Sequence, residues 1–373
     1  MVRRRRQSDL GVVARLPRIG GRGVSDVEVL GRIGPDGPAL LVLYTGGTFG
    51  MGPDADGSLV PLDLRELGVH LPFIRRLPLA LTVATFVEPI DSSAMRISDW
   101  LDIADAIVAH APGHAGVVVL HGTDTMAYTA SALSFLLEGI DIPIVLTGAQ
   151  RPVTELRSDG RENLVTALAI AAGHLRGAAL VPEVTIFFSD LLIRGNRAVK
   201  VHADSYHGFA SPNHPPLATA GVSIDFDTTL IRAPSAGPIR RSKGMSAAVT
   251  GLRLHPGIDA YVLGAVLARP GLRGFVLEAY GAGNGPTDSW FLDQLRSAVD
   301  RGVTVVVTTQ CRVGSVVGGL YATSSALLAT GAVSAGDMTF EAALTKLMVL
   351  TDRHSPDEVR RLIQEDLVGE LSA

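Results

Sequence analysis

Two threonine-rich segments each follow a short apolar run that is typical of a buried strand. Residues 45–48 (TGGT) follow the run 40–43, and residues 121–125 (HGTDT) follow the run 117–120. Open α/β sheets bind ligands at the carboxyl ends of their strands, so the pattern predicts hydroxyl groups and one carboxylate in such a crevice. Hydroxyl groups there suggest nucleophilic chemistry. A threonine hydroxyl is a poor nucleophile unless a base lies within hydrogen-bonding reach.

Lys200 is the candidate for that base. Near carboxylates, burial would lower the pKa of a lysine, whereas an acidic partner would hold it up. In the first case Lys200 could accept the proton of Thr123, with Asp124 orienting it, as in a serine-hydrolase triad. On spacing alone, a solvated surface lysine is the alternative interpretation.

Other interpretations of these segments stay open. The first could be a tight turn without chemistry, and it lacks the lysine–serine/threonine ending of a nucleotide-phosphate loop. In the second, Thr125 is predicted to cap the following helix, whereas Thr123 and Asp124 face the crevice. His121 is predicted to be a buried, hydrogen-bonded histidine rather than a catalytic one.

His202 and Asp204 are metal-ligand types. They have no third ligand at suitable spacing, so a structural role is predicted and no metal is expected.

Composition narrows the class of protein. The chain has 373 residues, which favours two domains, and a net charge of −4, which disfavours a nucleic-acid partner. The single cysteine, Cys311, excludes an internal disulfide and suits a reducing compartment. No apolar run approaches the ~18 residues of a membrane span. We therefore expect a cytoplasmic protein without a membrane partner.

The predicted elements alternate between strand and helix after an irregular, mobile extension over residues 1–38. Strands are predicted at 40–44, 81–87, 117–120, 144–147 and 184–188, and helices at 98–110, with Ser98 as N-cap, and 125–138. Such alternation predicts parallel βαβ units in a domain over residues 39–222.

Residues 223–245 lose all periodicity and are predicted to be an interdomain linker. A smaller parallel α/β domain is predicted over residues 246–373. Its strands are predicted at 247–254, 274–277 and 303–308, and its helices at 261–269, 288–301 and 324–328.

Taken together, the motifs resemble the bacterial L-asparaginase family, and specifically its cytoplasmic type I branch. The matching segments are residues 44–51 (YTGGTFGM), 91–95 (DSSAM), 121–135 (HGTDTMAYTASALSF), 147–150 (TGAQ), 156–160 (LRSDG), 194–204 (RGNRAVKVHAD), 209–213 (FASPN), 280–284 (YGAGN) and 309–311 (TQC). The resemblance implies a two-domain α/β fold. Its larger N-terminal domain has a mixed β-sheet, its smaller C-terminal domain has a parallel sheet, and helices flank each.

The resemblance also implies the roles of the site residues. Thr48 is the primary nucleophile, and Thr123, Lys200 and Asp124 form a second, rigid catalytic set, although either threonine could attack first. The implied substrate-contacting residues are Ser92, Ser93, Gly47, Gly122 and Asn284, with backbone N–H groups of the glycine turn and of Thr123 forming an oxyanion hole. Asn284 comes from a neighbouring subunit, which implies a homodimer or a dimer of dimers (a homotetramer).

Two positions depart from the family pattern. Ser58 stands where the mobile lid usually carries a tyrosine that hydrogen-bonds the nucleophile. Tyr44 points the wrong way to replace it if it belongs to the core. Glu278 stands where enzymes with an allosteric asparagine site carry an arginine, so we predict no such regulation here.

The expected function is hydrolysis of L-asparagine, with weaker action on L-glutamine and no cofactor. Two alternatives remain. One is an ammonia-supplying subunit of a tRNA-dependent amidotransferase, and the other is a non-catalytic amino-acid-binding relative. Residues 1–38 look too short and irregular for the folded N-terminal domain of such a subunit, and the retained threonines, Asp124 and Lys200 disfavour a non-catalytic protein.

Overall fold

The computed structural model of the chain describes residues 27–34, 38–53, 56, 59–61, 71, 74, 78–317 and 322–372. The strands within these residues are β1 (Val27–Ile33), β2 (Ala39–Tyr44), β3 (Met51–Pro53), β4 (Leu59–Pro61), β5 (Ala80–Phe86), β6 (His114–Leu120), β7 (Leu137–Glu138), β8 (Ile144–Thr147), β9 (Val184–Phe188), β10 (Leu191–Arg194), β11 (Val199–Lys200), β12 (Phe209–Ala210), β13 (Ala218–Ala220), β14 (Ile224–Phe226), β15 (Arg240–Arg241), β16 (Val249–Arg253), β17 (Gly274–Ala279), β18 (Thr304–Thr309) and β19 (Val333–Ser334).

The α-helices within the same residues are α1 (Ile97–His110), α2 (Met126–Leu136), α3 (Gly160–Ala172), α4 (Ala260–Leu267), α5 (Ser289–Asp300), α6 (Ala322–Leu328), α7 (Phe340–Arg353) and α8 (Pro356–Leu362). None of these helices has the length and apolar character needed to cross a membrane.

The larger sheet has nine strands among the described residues, in the order β1-β5-β2-β6-β8-β9-β10-β13-β14. The five central strands β5, β2, β6, β8 and β9 are parallel, and antiparallel strands flank them on both sides. The smaller sheet, β16-β17-β18-β19, is parallel throughout. A mixed larger sheet and a parallel smaller one confirm the predicted fold class.

The central strands are apolar on both faces because helices cover both faces of the sheet. Leu41 and Leu43 of β2 pack in one hydrophobic cluster, and Leu40 and Val42 pack in another on the opposite face. The first cluster continues through α2 into α7, so the helices of the two sheets share one core. Parallel pairing of β2 with β6 within this covered sheet places the carboxyl ends of the two strands side by side.

The structure corrects the predicted extension and the predicted linker. Residues 27–33, assigned to the irregular extension, form β1, which pairs antiparallel with β5 and buries Leu30. A register shift between Val29 and Gly31 interrupts the alternation of this strand, which weakens its signal in the sequence. Residues 224–226, assigned to the linker, form β14 at the edge of the larger sheet, and β15 pairs with β7.

The predicted N-cap of α1 is also wrong. The helix begins at Ile97, and its N-cap is Arg96 rather than Ser98. The Asp99 side chain accepts a hydrogen bond of 2.6 Å from the Arg96 backbone N–H. This is the bond that the third helical residue makes in a capping box, so Asp99 and not Ser98 satisfies an amide at the helix start.

Candidate active site

The first threonine turn is fixed by backbone contacts at the end of β2. The Thr45 N–H and hydroxyl both donate to the carbonyl of Leu120, at 2.9 and 3.1 Å. Gly47 has φ +94°, and a Cβ there would collide with the Cα of Gly122 in the second turn. Glycine is required at this position because the two turns touch backbone to backbone. Thr48 follows at the start of a 3-10 turn (Thr48–Gly50) and is half-buried.

Tyr44 supports this turn from the core side. Its ring lies in the core, as the alternation along β2 predicts, and its hydroxyl donates to the carbonyl of Gly47 at 3.2 Å. Burial raises the pKa of the Tyr44 phenol to about 12, so the group remains a hydrogen-bond donor at neutral pH. The direction of this side chain was predictable from its place in the strand, whereas its support of the turn was not predicted.

The second threonine turn holds the closest group of polar side chains in the site. The Lys200 Nζ donates to the Thr123 hydroxyl at 2.9 Å and to the Asp124 carboxylate at 2.7 Å. Thr123 is buried, the Lys200 side chain is 19% exposed, and the Asp124 side chain is 62% exposed. The structure thus brings the three residues of the predicted set together. An ammonium has only donors, so Lys200 can act as a base only as the neutral amine.

Ser92 lies against the second turn. It is buried in a 3-10 turn (Ser92–Ala94), and a Cβ on Gly122 would collide with its hydroxyl. The next residue, Ser93, is exposed, and its hydroxyl and N–H both bond to the carboxylate of Asp91 at 2.9 Å. Ser92 and Gly122, both predicted to contact substrate, are therefore neighbours in space.

The prediction for Thr125 is only partly right. Thr125 stands at the N-cap of α2, but its hydroxyl makes no cap hydrogen bond. It donates to the carbonyl of Ser92 at 2.7 Å. The hydroxyl is thus used to tie the Ser92 turn to the second threonine turn.

Gln150 is a site residue for which no role was predicted. It follows β8, the next strand of the sheet, and its side-chain oxygen accepts from the Thr123 hydroxyl at 3.4 Å. Its side-chain nitrogen donates to the carbonyl of Ser205 at 3.0 Å. Its place after a central parallel strand is the signal that could have identified it.

His121 is buried and hydrogen-bonded, in agreement with the structural role predicted for it. Its ring nitrogens lie 2.6 Å from the Gly122 carbonyl and 3.0 Å from the Thr129 hydroxyl, which also accepts from the Trp100 indole. Burial lowers the pKa of His121 to about 4, so the ring is neutral at physiological pH.

His202 and Asp204 also occupy structural positions, in a surface loop after β11. The His202 Nδ1 lies 2.9 Å from the Asp204 carboxylate and 3.0 Å from the N–H of Ser205. Within the described part of the chain, no three metal-ligating side chains cluster.

Asn284 belongs to the smaller domain. Its backbone bridges to Tyr280, and its side-chain oxygen accepts from the Thr323 hydroxyl at 2.6 Å. Among the described residues, no hydrogen bond joins Asn284 to Thr123, Asp124 or Lys200. Contact with this set across an interface between two copies of the chain therefore stays a prediction.

Of the two positions that depart from the family pattern, the structure describes only Glu278. Ser58 lies outside the described residues. Glu278 lies 3.6 Å from Arg253, and burial raises the pKa of its carboxyl. The absence of asparagine regulation at this position stays a prediction.

Both domains of the chain are similar to known proteins. Residues 39–232 match the family model of the asparaginase N-terminal domain, and residues 248–363 match that of the glutaminase/asparaginase C-terminal domain. L-asparaginase 1 of Escherichia coli is 41% identical over 338 residues, which cover 90% of this chain and 98% of that protein.

Two further proteins extend the comparison. The crystal structure of L-asparaginase I from Vibrio cholerae superposes with a TM-score of 0.80 at 38% identity, covering 90% of this chain and 99% of that one. A glutamyl-tRNA(Gln) amidotransferase polypeptide of Methanopyrus kandleri is 35% identical and is covered over 76% of its length, with 90% of this chain matched. Two domain models match most of the chain, and relatives that are 41% and 38% identical are covered over most of their length, so the chain belongs to the asparaginase family.

Proposed function

We propose that the protein hydrolyses the side-chain amide of L-asparagine to L-aspartate and ammonia, with weaker action on L-glutamine. The observation that carries this proposal is the contact of Lys200 with both Thr123 and Asp124, beside a glycine-linked turn that presents Thr48. Two hydroxyl nucleophiles and a lysine at adjacent strand ends suit acyl transfer to threonine and then to water.

In the first step of the proposed reaction, the Thr48 hydroxyl oxygen attacks the amide carbon. The C–O bond forms, the C–N bond breaks, and the hydroxyl proton ends on the departing nitrogen, which leaves as ammonia. The product is a β-aspartyl ester of Thr48. The backbone N–H groups of the glycine turn and of Thr123 would bind the oxyanion, and loss of one such donor typically costs ~100-fold or more.

In the second step, a water molecule attacks the ester carbon. The ester C–O bond breaks, the Thr48 hydroxyl regains a proton, and aspartate is released. Neutral Lys200 would accept the proton from the Thr123 hydroxyl or from water, with Asp124 holding it in place. Attack by Thr123 in the first step is the alternative order, since Thr123 is the threonine bonded to Lys200.

Substrate binding is proposed at the residues around the second turn. Ser92, Ser93 and the Asp124 carboxylate would hold the α-carboxylate and α-ammonium groups of the amino acid. The backbones of Gly47 and Gly122 are proposed to contact the substrate. As glycines they let the turns that hold these contacts touch, because a Cβ on either residue would collide with protein atoms. The Asp124 carboxylate already accepts from Lys200, but its side chain is 62% exposed, so a substrate ammonium group can also reach it.

Completion of the site by Asn284 of a second copy of the chain is part of the proposal. It requires a homodimer or a dimer of dimers, and sedimentation velocity of the purified protein would measure the oligomeric state. A cytoplasmic location remains a prediction of the sequence. The similarity to the glutamyl-tRNA(Gln) amidotransferase polypeptide keeps ammonia supply to a partner enzyme as the second candidate function.

Ammonia release from L-asparagine and L-glutamine by the purified protein tests the proposal. Thr48→Ala should abolish turnover, and Thr228→Ala, which removes an exposed hydroxyl elsewhere, should leave it unchanged. No release from either amide would exclude a free-standing asparaginase. Release restored only by a partner protein would favour the amidotransferase role.

A further inference from the structure

The end of the chain lies against the turn that leads to Lys200. We define the C-terminal segment as residues 366–372 and the RGNR turn as residues 194–197. The Arg197 Nε donates to the Gly369 carbonyl at 2.8 Å, and the Asn196 side-chain nitrogen donates to the Val368 carbonyl at 3.1 Å. Arg197 and Asn196 are both buried, although 172 residues separate each donor from its acceptor. The segment therefore forms part of the support beneath the turn.

The C-terminal segment is held in one shape by a buried ion pair. Glu370 and Lys346 are each 0% exposed, and their charged atoms lie 2.6 Å apart. The Glu370 carboxylate also accepts the N–H groups of Leu367 and Val368, at 3.0 and 2.8 Å. A buried pair is rigid when its remaining hydrogen-bonding capacity is satisfied, as here. The carbonyl groups presented to the RGNR turn are thus fixed in position.

A displacement of the RGNR turn would also move Lys200, which follows Arg197 by three residues. Ala198, fully buried in the core, and Val199 are the only residues between Arg197 and Lys200. The Lys200 Nζ must come within hydrogen-bonding distance of Thr123 and Asp124 at once. We infer that the C-terminal segment positions Lys200 for catalysis by fixing the RGNR turn, and this inference rests on the proposed function.

Gly369 is the position where a small substitution can disturb this contact. It has φ +90°, and a Cβ there would lie 2.8 Å from the Arg194 guanidinium. That guanidinium cannot move aside easily, because it is buried and bonded to the Glu183 carboxylate at 2.6 Å and to the Leu230 carbonyl at 2.7 Å. An alanine at 369 would therefore push the segment away from the turn.

Gly369→Ala tests the inference, with Gly237→Ala as the matched control. Gly237 has φ +93°, and a Cβ there would meet nothing within 4 Å, so the control carries the same backbone strain without the contact. We expect kcat of Gly369→Ala to fall by about 100-fold, the effect of a ~1 Å displacement, with little change in KM. Hydrogen exchange of peptides covering residues 195–203 should be faster than in the control.

The outcomes separate this inference from the proposed function. Equal kcat in Gly369→Ala and Gly237→Ala, or equal exchange over residues 195–203, overturns the role of the segment. A wild-type protein that releases no ammonia refutes the proposed function, and the exchange comparison alone then decides whether the segment holds the turn.

If Gly369→Ala fails to fold, Ser372→Ala replaces it. The Ser372 hydroxyl donates at 2.6 Å to the Asp337 carboxylate, which accepts from Arg197 at 2.8 Å. A smaller fall in kcat with faster exchange over residues 195–203 is expected. Unchanged kcat and unchanged exchange would overturn the inference.

Discussion

Replacement of Lys200 by methionine separates catalysis from stability at the proposed active site. Methionine keeps an unbranched side chain but removes the amine that donates to Thr123 and Asp124 at 2.9 and 2.7 Å. If the amine is the base, its loss removes general-base catalysis, which typically contributes 10²–10⁴-fold. We therefore expect kcat to fall by at least ~100-fold, which corresponds to about 3 kcal/mol or more of activation free energy.

The same substitution should change the free energy of unfolding little. The Asp124 side chain is 62% exposed, so water can solvate its charge once the lysine is gone. Exposed ion pairs contribute ~0–1 kcal/mol, and Thr123 retains Gln150 as a hydrogen-bond partner. For domains of this size that loss corresponds to a change of at most about 4 °C in Tm.

The assay is ammonia release from saturating L-asparagine, measured beside a thermal melt of the same preparation. Lys243→Met is the matched control, because Lys243 is exposed in the region between the two sheets. It should match the wild-type protein in both measurements. A Lys200→Met variant that keeps more than about a tenth of wild-type kcat would refute the assignment of Lys200 as the base.

Two further predictions concern the second threonine turn. Gly122→Ala places a Cβ 2.7 Å from the Ser92 Cβ, so the second threonine turn and the Ser92 turn must move apart. We expect kcat/KM to fall by about 100-fold. The control Gly221→Ala, where a Cβ meets only ordinary contacts, should keep the wild-type kcat/KM. Equal kcat/KM values for the two variants would contradict the packing argument. The pKa of His121 is about 4 in the folded protein and 6.5 in the unfolded chain. Between pH 6.5 and pH 4, therefore, the histidine is protonated only in the unfolded state. Stability should thus be lost as the pH falls from 6.5 to 4, by on the order of 3 kcal/mol, in urea titrations of the wild-type protein but not of His121→Gln.

The central strands were predictable because their signal is local. The predicted strands at 144–147 and 184–188 agree with β8 and β9 residue for residue, since runs buried on both faces are continuously apolar. β1 was missed because only Leu30 is fully buried and a register shift interrupts the strand. Ser98 was chosen as a cap by residue type, whereas the carboxylate of Asp99 makes the bond.

The parts of the candidate site also differ in how well they could be predicted from the sequence. The two threonine turns follow strand ends and could be identified from sequence alone. Lys200 lies 77 residues from Thr123 along the chain, so local spacing does not join them. The need for a base made Lys200 a candidate, and the family resemblance implied the same set of residues. The contact of Arg197 with Gly369 spans 172 residues and has no local signal in the sequence.

The threonine turns and Lys200 are held in place by different kinds of contact. The turns are fixed by strand pairing, through the Thr45 N–H and hydroxyl on the Leu120 carbonyl and the contact of Gly47 with Gly122. Lys200 instead lies in the two-residue strand β11, which pairs with β12 outside the nine-stranded sheet, and the turn before it makes side-chain contacts with residues far along the chain. Contacts of that kind open locally at a lower free energy than the core strands. Loss of activity should therefore precede loss of the fold when denaturant is added, because the position of the lysine fails before the sheet does.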